Sequence, residues 1–567
     1  MGEAARAGIA AIAFVAAALA GCESHYDPVA AAAAEKARAH IGNVLAHIPP
    51  QCYTQTDGVA NPCWVCHTGR NNKNDADDWE LQAQYQLNPI GRTNHWTNLF
   101  VDRSEAIAAQ RDADTLAYVR HDNYAPLRAA LRRLPAALRP RWMPDLDRAK
   151  GFAADGFARD GSGWRAFRYK PFPGTFWPTN GATDDVLIRL PPAFRQTADG
   201  KDSPAVYRVN LAIVEAAVAV PDTQPDDALD LPTEALDERA AGVDLDGDGR
   251  LAIATRIHAL PAHYAGAAAG IAVRRYAYPI GTEFMHGVYY LDPDAPEMRA
   301  TRLKELRYAR KIFQLDDAHL AQKYEEDARE QLTGGWPYFG GDAFSGLFDE
   351  YGWQLQAYIE QADGRLRLQT REEQMFCMGC HSGIGVTVDG SFSLPRKLPG
   401  AAGWGEQRLA GMVDAPQAGS DEPEYQRYLR RTGGGDEYRA NREMLARFFP
   451  DGRFDAGAAR VAAPGGGGDL RDIVLPSRER ALLLDKAYRA LVREQRFEFG
   501  RDAVIEPVQH IHREVDGAET GLRVEDGRVF KDGRLWLAWP HAGAAREMTM
   551  PSAVGQAPGI RAGLESR

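Results

Sequence analysis

Cys63-Trp64-Val65-Cys66-His67 recurs in the chain as Cys377-Met378-Gly379-Cys380-His381. Two thiols one helical turn apart can form thioethers with the two vinyl groups of a porphyrin. The imidazole that follows can then reach the iron of the tethered ring. C-x-x-C-H is the attachment sequence of c-type haem. Cys63, Cys66, Cys377 and Cys380 are thus the expected attachment thiols, and His67 and His381 the expected proximal iron ligands. C-x-x-C alone also serves zinc or disulfide exchange. Zinc would want a second C-x-x-C or a matching His pair nearby, and neither motif has one.

What lies across each iron decides what a haem can do. A second strong-field ligand suits outer-sphere electron transfer, whereas an open position binds small molecules. His286 falls on an expected strand with Phe284 and Val288 on its face and Met285 pointing the other way. It is a candidate distal ligand, its rival role being a core histidine bonded to backbone. His510 and His512 flank Ile511 in an extended segment, so both lie on one side. His510, or its neighbour, is the candidate for the second iron, the other facing solvent or a propionate; His95, beside Trp96, is a third candidate.

Asp244-Leu245-Asp246-Gly247-Asp248-Gly249-Arg250 matches the first half of an EF-hand-type loop. Asp244, Asp246 and Asp248 would converge on Ca2+, with the Arg250 carbonyl as a further ligand. The twelfth position is Thr255, so the closing glutamate is missing, and Asp237, Glu238 or another segment would have to replace it. Asp-Gly repeats also make ordinary turns.

The N-terminus carries a short apolar run over residues 8–20, too short to span a bilayer, which reads as a signal peptide. It ends in Leu19-Ala20-Gly21-Cys22, which resembles the lipobox of bacterial lipoproteins. That resemblance implies acylation of Cys22 and a lipid anchor in the cell envelope, facing the periplasm or on the outer membrane. Export agrees with covalent haem, which is attached outside the cytoplasm. Of six cysteines only Cys52 is left over, so no structural disulfide is expected. A formal net charge of −11 argues against nucleic acid and permits a basic redox partner.

The 567 residues allow several domains. A signal peptide (1–21) precedes a mostly helical haem domain (22–150), with Ser104 a plausible N-cap. Residues 151–300 form a strand-rich insertion, with strands expected at 185–190, 205–218 and 270–291. The second haem domain (301–415) is expected to open with a charged helix over 300–330 and to contain a hairpin at Asp363-Gly364. Residues 416–567 hold an amphipathic helix at 478–495 and a hairpin around Asp532-Gly533.

On the two pentapeptides and their flanks, the chain resembles a bacterial dihaem c-type cytochrome. The expected fold class is therefore α+β, with mostly helical c-type haem domains and a strand-containing insertion between the motifs. The implied cofactors are two c-type haems, with Ca2+ at the acidic loop. The implied function is electron transfer in the envelope with a redox protein or a small-molecule donor or acceptor. The alternative is a dihaem oxidoreductase of peroxidase or oxygenase type with one catalytic haem. Two haems in so long a chain are sparse for a conduit, which favours that alternative.

Overall fold

The computed structural model describes residues 26–38, 42–55, 61–68, 83–174, 178–220, 229–333, 338–433, 441–515, 519–520 and 534–540. Cys22 and the Asp532-Gly533 hairpin fall outside these residues. The organising element is an eight-stranded antiparallel sheet in the order β1-β2-β5-β6-β9-β8-β7, with β10 also on β9. Its strands are β1 (Arg165–Phe167), β2 (Thr183–Arg189), β5 (Glu283–Leu291), β6 (Arg299–Lys311), β7 (Gly340–Asp342), β8 (Gly346–Phe348), β9 (Trp353–Glu360) and β10 (Leu366–Leu368). A separate hairpin pairs β3 (Leu231–Asp237) with β4 (Ile253–Ile257).

This architecture corrects the expected fold class. The chain is α+β, but it is built around one large sheet and not around mostly helical haem domains. Two local patterns account for the difference. Residues 300–311, expected to be a charged helix with a solvated face, form most of β6 at the centre of the sheet. Their charges are internal: Arg302 Nε meets Glu360 at 2.5 Å, Arg501 Nη1 meets Glu305 at 2.9 Å, and Lys304 bonds the Gly181 carbonyl. Buried charges persist only when paired and hydrogen-bonded in this way.

Residues 205–218 fail in the opposite sense, since the expected strand is the Pro204–Ala219 helix. Ser203 caps it by accepting the Val206 N–H, and Pro204 occupies the first turn. Apolar residues surround the helix almost completely, so no one-sided 3.6-residue stripe marks it in the sequence. Its buried Asn210 donates to the Phe194 and Ala265 carbonyls, and its Glu215 pairs with Lys397 at 2.9 Å. The β9–β10 hairpin and the helix Arg478–Glu494 fall where expected, whereas the strand expected over 270–291 covers only Glu283–Leu291 and Ser104 opens the helix Ser104–Ala108 without capping it.

Strand alternation sends side chains to two cores. On one face, Met285, Leu306 and Tyr358 pack with Leu127 and Leu131 of the helix Tyr124–Arg133. On the other, Phe284, Val186, Ala309 and Leu355 join a core shared with Trp64 and Val65 of the first pentapeptide and Cys377 of the second. β6 runs through residue 300, and β9 and β10 lie within 301–415. One sheet thus joins the stretches expected to be the insertion and the second haem domain.

A buried carboxylate between two layers gives a testable linkage. Asp185 accepts from Arg148 Nη1 at 2.8 Å, the Tyr289 hydroxyl at 2.8 Å and the Gly287 N–H at 3.0 Å. Burial opposes the charge, but the Arg148 and Arg299 guanidiniums outweigh it and hold the carboxyl down at about 2. A depressed folded-state pKa contributes stability that is present above the ordinary carboxylate range and lost as pH falls through about 2. That component is about 2 kcal/mol. Denaturant unfolding at pH 7 and near pH 2 should show Asp185→Asn lacking about that much of the wild-type acid dependence; an identical dependence would refute the assignment.

Candidate functional site

The first pentapeptide is a single helical turn, Cys63–Cys66, set by its flanks. Asn61 Oδ1 accepts the Cys63 N–H at 2.7 Å, while its amide donates to the Thr54 carbonyl at 2.6 Å and the Tyr85 hydroxyl at 2.8 Å. Cys63, Trp64 and Val65 are buried, and the His67 N–H closes the turn on the Cys63 carbonyl at 2.9 Å.

The second pentapeptide ends the helix Arg371–Met378. Thr370 and Glu373 form a capping box at its start, and Arg367 grips Glu373 through two bonds of 2.8 and 2.7 Å. Arg501 donates to the Glu373 carbonyl at 2.5 Å and lies over the Phe376 ring. With the helix fixed at both ends, the N–H groups of Cys380 and His381 converge on the Cys377 carbonyl at 3.3 and 3.1 Å.

His381 is oriented for ligation. Its Nδ1 stands 3.0 Å from the Gly390 carbonyl, which can only accept, so Nδ1 carries the proton and Nε2 keeps its lone pair. Burial drives its pKa down to about 4, which keeps the ring neutral. The Gly390 turn is itself tethered: Lys311 Nζ meets Asp389 at 2.5 Å and Trp353 Nε1 donates to the Asp389 carbonyl at 2.6 Å.

Although 311 positions separate Cys66 from Cys377 in sequence, the two pentapeptides line one cavity. The Val386 N–H donates to the Cys66 carbonyl at 3.2 Å. Gly379 lies so close to residues 47–49 that a Cβ there would stand 2.1 Å from the His47 carbonyl oxygen. Cys52 sits between the motifs: burial pushes its thiol pKa well up, and its titratable neighbours are Cys63 and Cys380.

A cavity of about 220 Å³ opens at this junction. Cys66 reaches it from the first motif and Cys377, Cys380 and His381 from the second. The sheet supplies His286 and Arg307, cross-strand partners on β5 and β6, together with Asp184 of β2. His286 Nε2 lies 3.2 Å from Asp184 Oδ2. The structure places His286, a candidate distal ligand in the sequence, on the cavity with the second motif, and turns Met285 into the opposite core. The sequence alone did not reveal Asp184 and Arg307; alternation along strands β2 and β6 was the signal that could have found them.

His510 and His512 are placed by the first motif. The Gln55 N–H donates to the His510 carbonyl at 2.8 Å and the His512 N–H to the Tyr53 carbonyl at 2.9 Å. The Tyr85 ring meets His512 edge-on at 5.7 Å. His95 lies next to Asn94, whose side chain donates to the His512 carbonyl at 2.9 Å.

At the acidic loop, carboxylate oxygens of Asp244, Asp246 and Glu238 gather within 4.8 Å of one another. Glu238 is fully buried and fills the place of the missing closing carboxylate, while accepting the Leu245 and Ala252 N–H groups at 2.6 and 2.9 Å. Asp248 stands apart from that group and accepts the Arg250 N–H at 2.7 Å.

Comparison with known proteins now bears on identity. A lipoprotein family matches residues 36–458, a span that holds both pentapeptides. The chain belongs to this lipoprotein family. It is 31% identical over 515 residues to an uncharacterized lipoprotein of Aquifex aeolicus (strain VF5), covering 80% of this chain and 85% of the relative. No solved structure matches. These matches correct the resemblance to the dihaem c-type cytochromes: the shared family is one of lipoproteins, and its sheet-centred fold is not that of small helical haem domains. The protein is accordingly lipid-anchored in the cell envelope. Among the described residues no helix is long and apolar enough to cross a membrane.

The contact at Gly379 yields a prediction. Its φ of −68° suits any residue, so Gly379→Ala tests the close approach alone. Because the obstructing atom belongs to backbone, the cost should be about 1–3 kcal/mol in denaturant unfolding. A variant as stable as the wild type would show that the second motif is not held against residues 47–49 at this point.

Proposed function

We propose that this lipoprotein carries electrons in the cell envelope on two covalently bound haems. Cys63, Cys66 and His67 would hold one, and Cys377, Cys380 and His381 the other. Haem would supply a one-electron redox centre at each site. The donor set fits: each pentapeptide offers two thiols and an imidazole, and His381 already spends its Nδ1 proton on a carbonyl and keeps Nε2 for a metal. The observation that carries the reading is the convergence of the motifs through Val386 and Cys66. Sparse haems argue for an enzyme only if they are far apart, and these attachment sites adjoin.

A dihaem oxidoreductase is the second reading, favoured by His286, Asp184 and Arg307 beside His381 in one cavity. That trio offers hydrogen-bonding groups where a small substrate would need them. The partner in either case is a redox protein or a small-molecule donor or acceptor, and the net charge of −11 suits a basic protein. At the acidic loop the proposed ion is Ca2+ on Asp244, Asp246 and Glu238, bracing the β3–β4 hairpin.

Mass spectrometry of the exported protein should find two haems per chain, and one in a Cys377→Ser/Cys380→Ser variant. A wild-type chain without covalent haem would sink the proposal. His67→Ala and His381→Ala should each keep the thioethers while altering the optical spectrum of one haem. For the ion, saturating Ca2+ should raise the thermal midpoint by the equivalent of about 2–3 kcal/mol at a hundredfold excess over Kd. Glu238→Gln should abolish that rise, and a midpoint indifferent to Ca2+ in the wild type would exclude the site.

A further inference from the structure

The expected acylation site, Cys22, lies only four positions before Tyr26, and a fully extended chain of that length spans at most about 14 Å. Tyr26 is itself docked on the sheet. Its hydroxyl donates to the Leu366 carbonyl of β10, and the Arg365 guanidinium lies over its ring at 4.5 Å. Asp27 then caps the helix Pro28–Arg38, accepting the Val29 and Ala30 N–H groups at 2.9 and 3.0 Å. Ala32 of that helix shares a core with Leu366 and with Leu127 and Leu131 of the helix Tyr124–Arg133. The two helices thus cover one face of the sheet, and a short tether holds this face near the acyl chains.

The charge here runs against that of the whole chain. Residues 123–144 hold five arginines and no carboxylate, in a protein of formal net charge −11. Arg132, Arg133 and Arg139 are exposed, and so is Leu138, to 52%. Arg139 donates to the Leu134 and Arg132 carbonyls at 2.9 and 3.0 Å, which folds the segment back on the end of its helix. Trp142 clamps it further on by stacking on Tyr308 at 4.3 Å. On the anchor side Asp27 is committed to its helix and Asp363 to Arg365, at 2.7 Å. We infer that this face docks on anionic phospholipid headgroups of the membrane that the acyl chains occupy. Guanidinium forks suit phosphate oxygens, and an exposed leucine beside them suits the headgroup boundary. The tether supplies a high effective concentration, so a few charges suffice. This inference is independent of the dihaem reading.

The test uses the full-length acylated protein in vesicles of phosphatidylcholine, alone or mixed with phosphatidylglycerol, and reads hydrogen exchange. At low ionic strength, residues 134–141 should exchange several-fold more slowly on the anionic vesicles than on the neutral ones. Molar salt should remove the difference by shortening the screening length to about 3 Å, while the acyl chains keep the protein on the vesicle. Arg132→Gln/Arg133→Gln should lower the docked-to-free ratio about 25-fold, or about fivefold for each charge removed. Both side chains are exposed, so the variant should keep the wild-type unfolding midpoint. Equal exchange on the two kinds of vesicle would overturn the inference, as would protection that the double variant leaves intact. Protection by anionic lipid confined to another surface would place the docking elsewhere and overturn it too.

Discussion

The close approach of the second pentapeptide to residues 47–49 depends on the absence of one side chain at Gly379. Backbone passes backbone there at a distance that no Cβ allows, with the His47 carbonyl on one side and the second pentapeptide on the other. The neighbouring Cys66–Val386 bond closes the same junction. Neither contact would form if either partner were loose. The helix Arg371–Met378 is pinned by its capping box and by Arg367 and Arg501, and Trp96 braces both sides by donating to the Ile48 carbonyl and packing on Phe376. Rigidity upstream is what lets a close approach become a defined site.

The sheet provides that rigidity, and it does so with charge as well as apolar surface. Glu305 is buried on the central strand and accepts from Arg307, Arg501 and Gln369. Arg501 continues to the helix Arg371–Met378 through the Glu373 carbonyl. Strand and helix are thus joined by a connected set of ionic hydrogen bonds. Such sets add little net stability over apolar packing, because desolvating each charge offsets the attraction. They do fix geometry, since an alternative packing would leave a buried charge unpaired. A surface that must hold His286 and Arg307 opposite His381 gains from that constraint.

Sequence alone revealed the parts of the site whose chemistry is local. Two thiols and an imidazole in five residues need no fold to be read, and the three-residue alternation around His286 correctly turned Met285 away from it. What escaped was long-range. Asp184 against His286 and the junction at Gly379 join residues far apart in the chain. The fold was misread for a related reason. Charges on β6 resemble a solvated helix face until their partners, Glu360 and Arg501, are known to lie on other elements. The Pro204–Ala219 helix, buried all round, lacks the polar face that distinguishes a helix from a buried strand.

Separation along the chain is a poor guide to how redox centres are used. The long stretch between the pentapeptides argued for an enzyme while it was taken as distance, but most of it folds into the sheet that sets the motifs side by side. Its bulk is then the scaffold that brings residues of both pentapeptides to one cavity. The second pentapeptide faces an imidazole already engaged by a carboxylate, in His286. A histidine that has given Nε2 to Asp184 must reach a metal through its other nitrogen or act through hydrogen bonds alone. On the dihaem reading, any small-molecule chemistry thereby belongs to the second site, where His286, Asp184 and Arg307 lie.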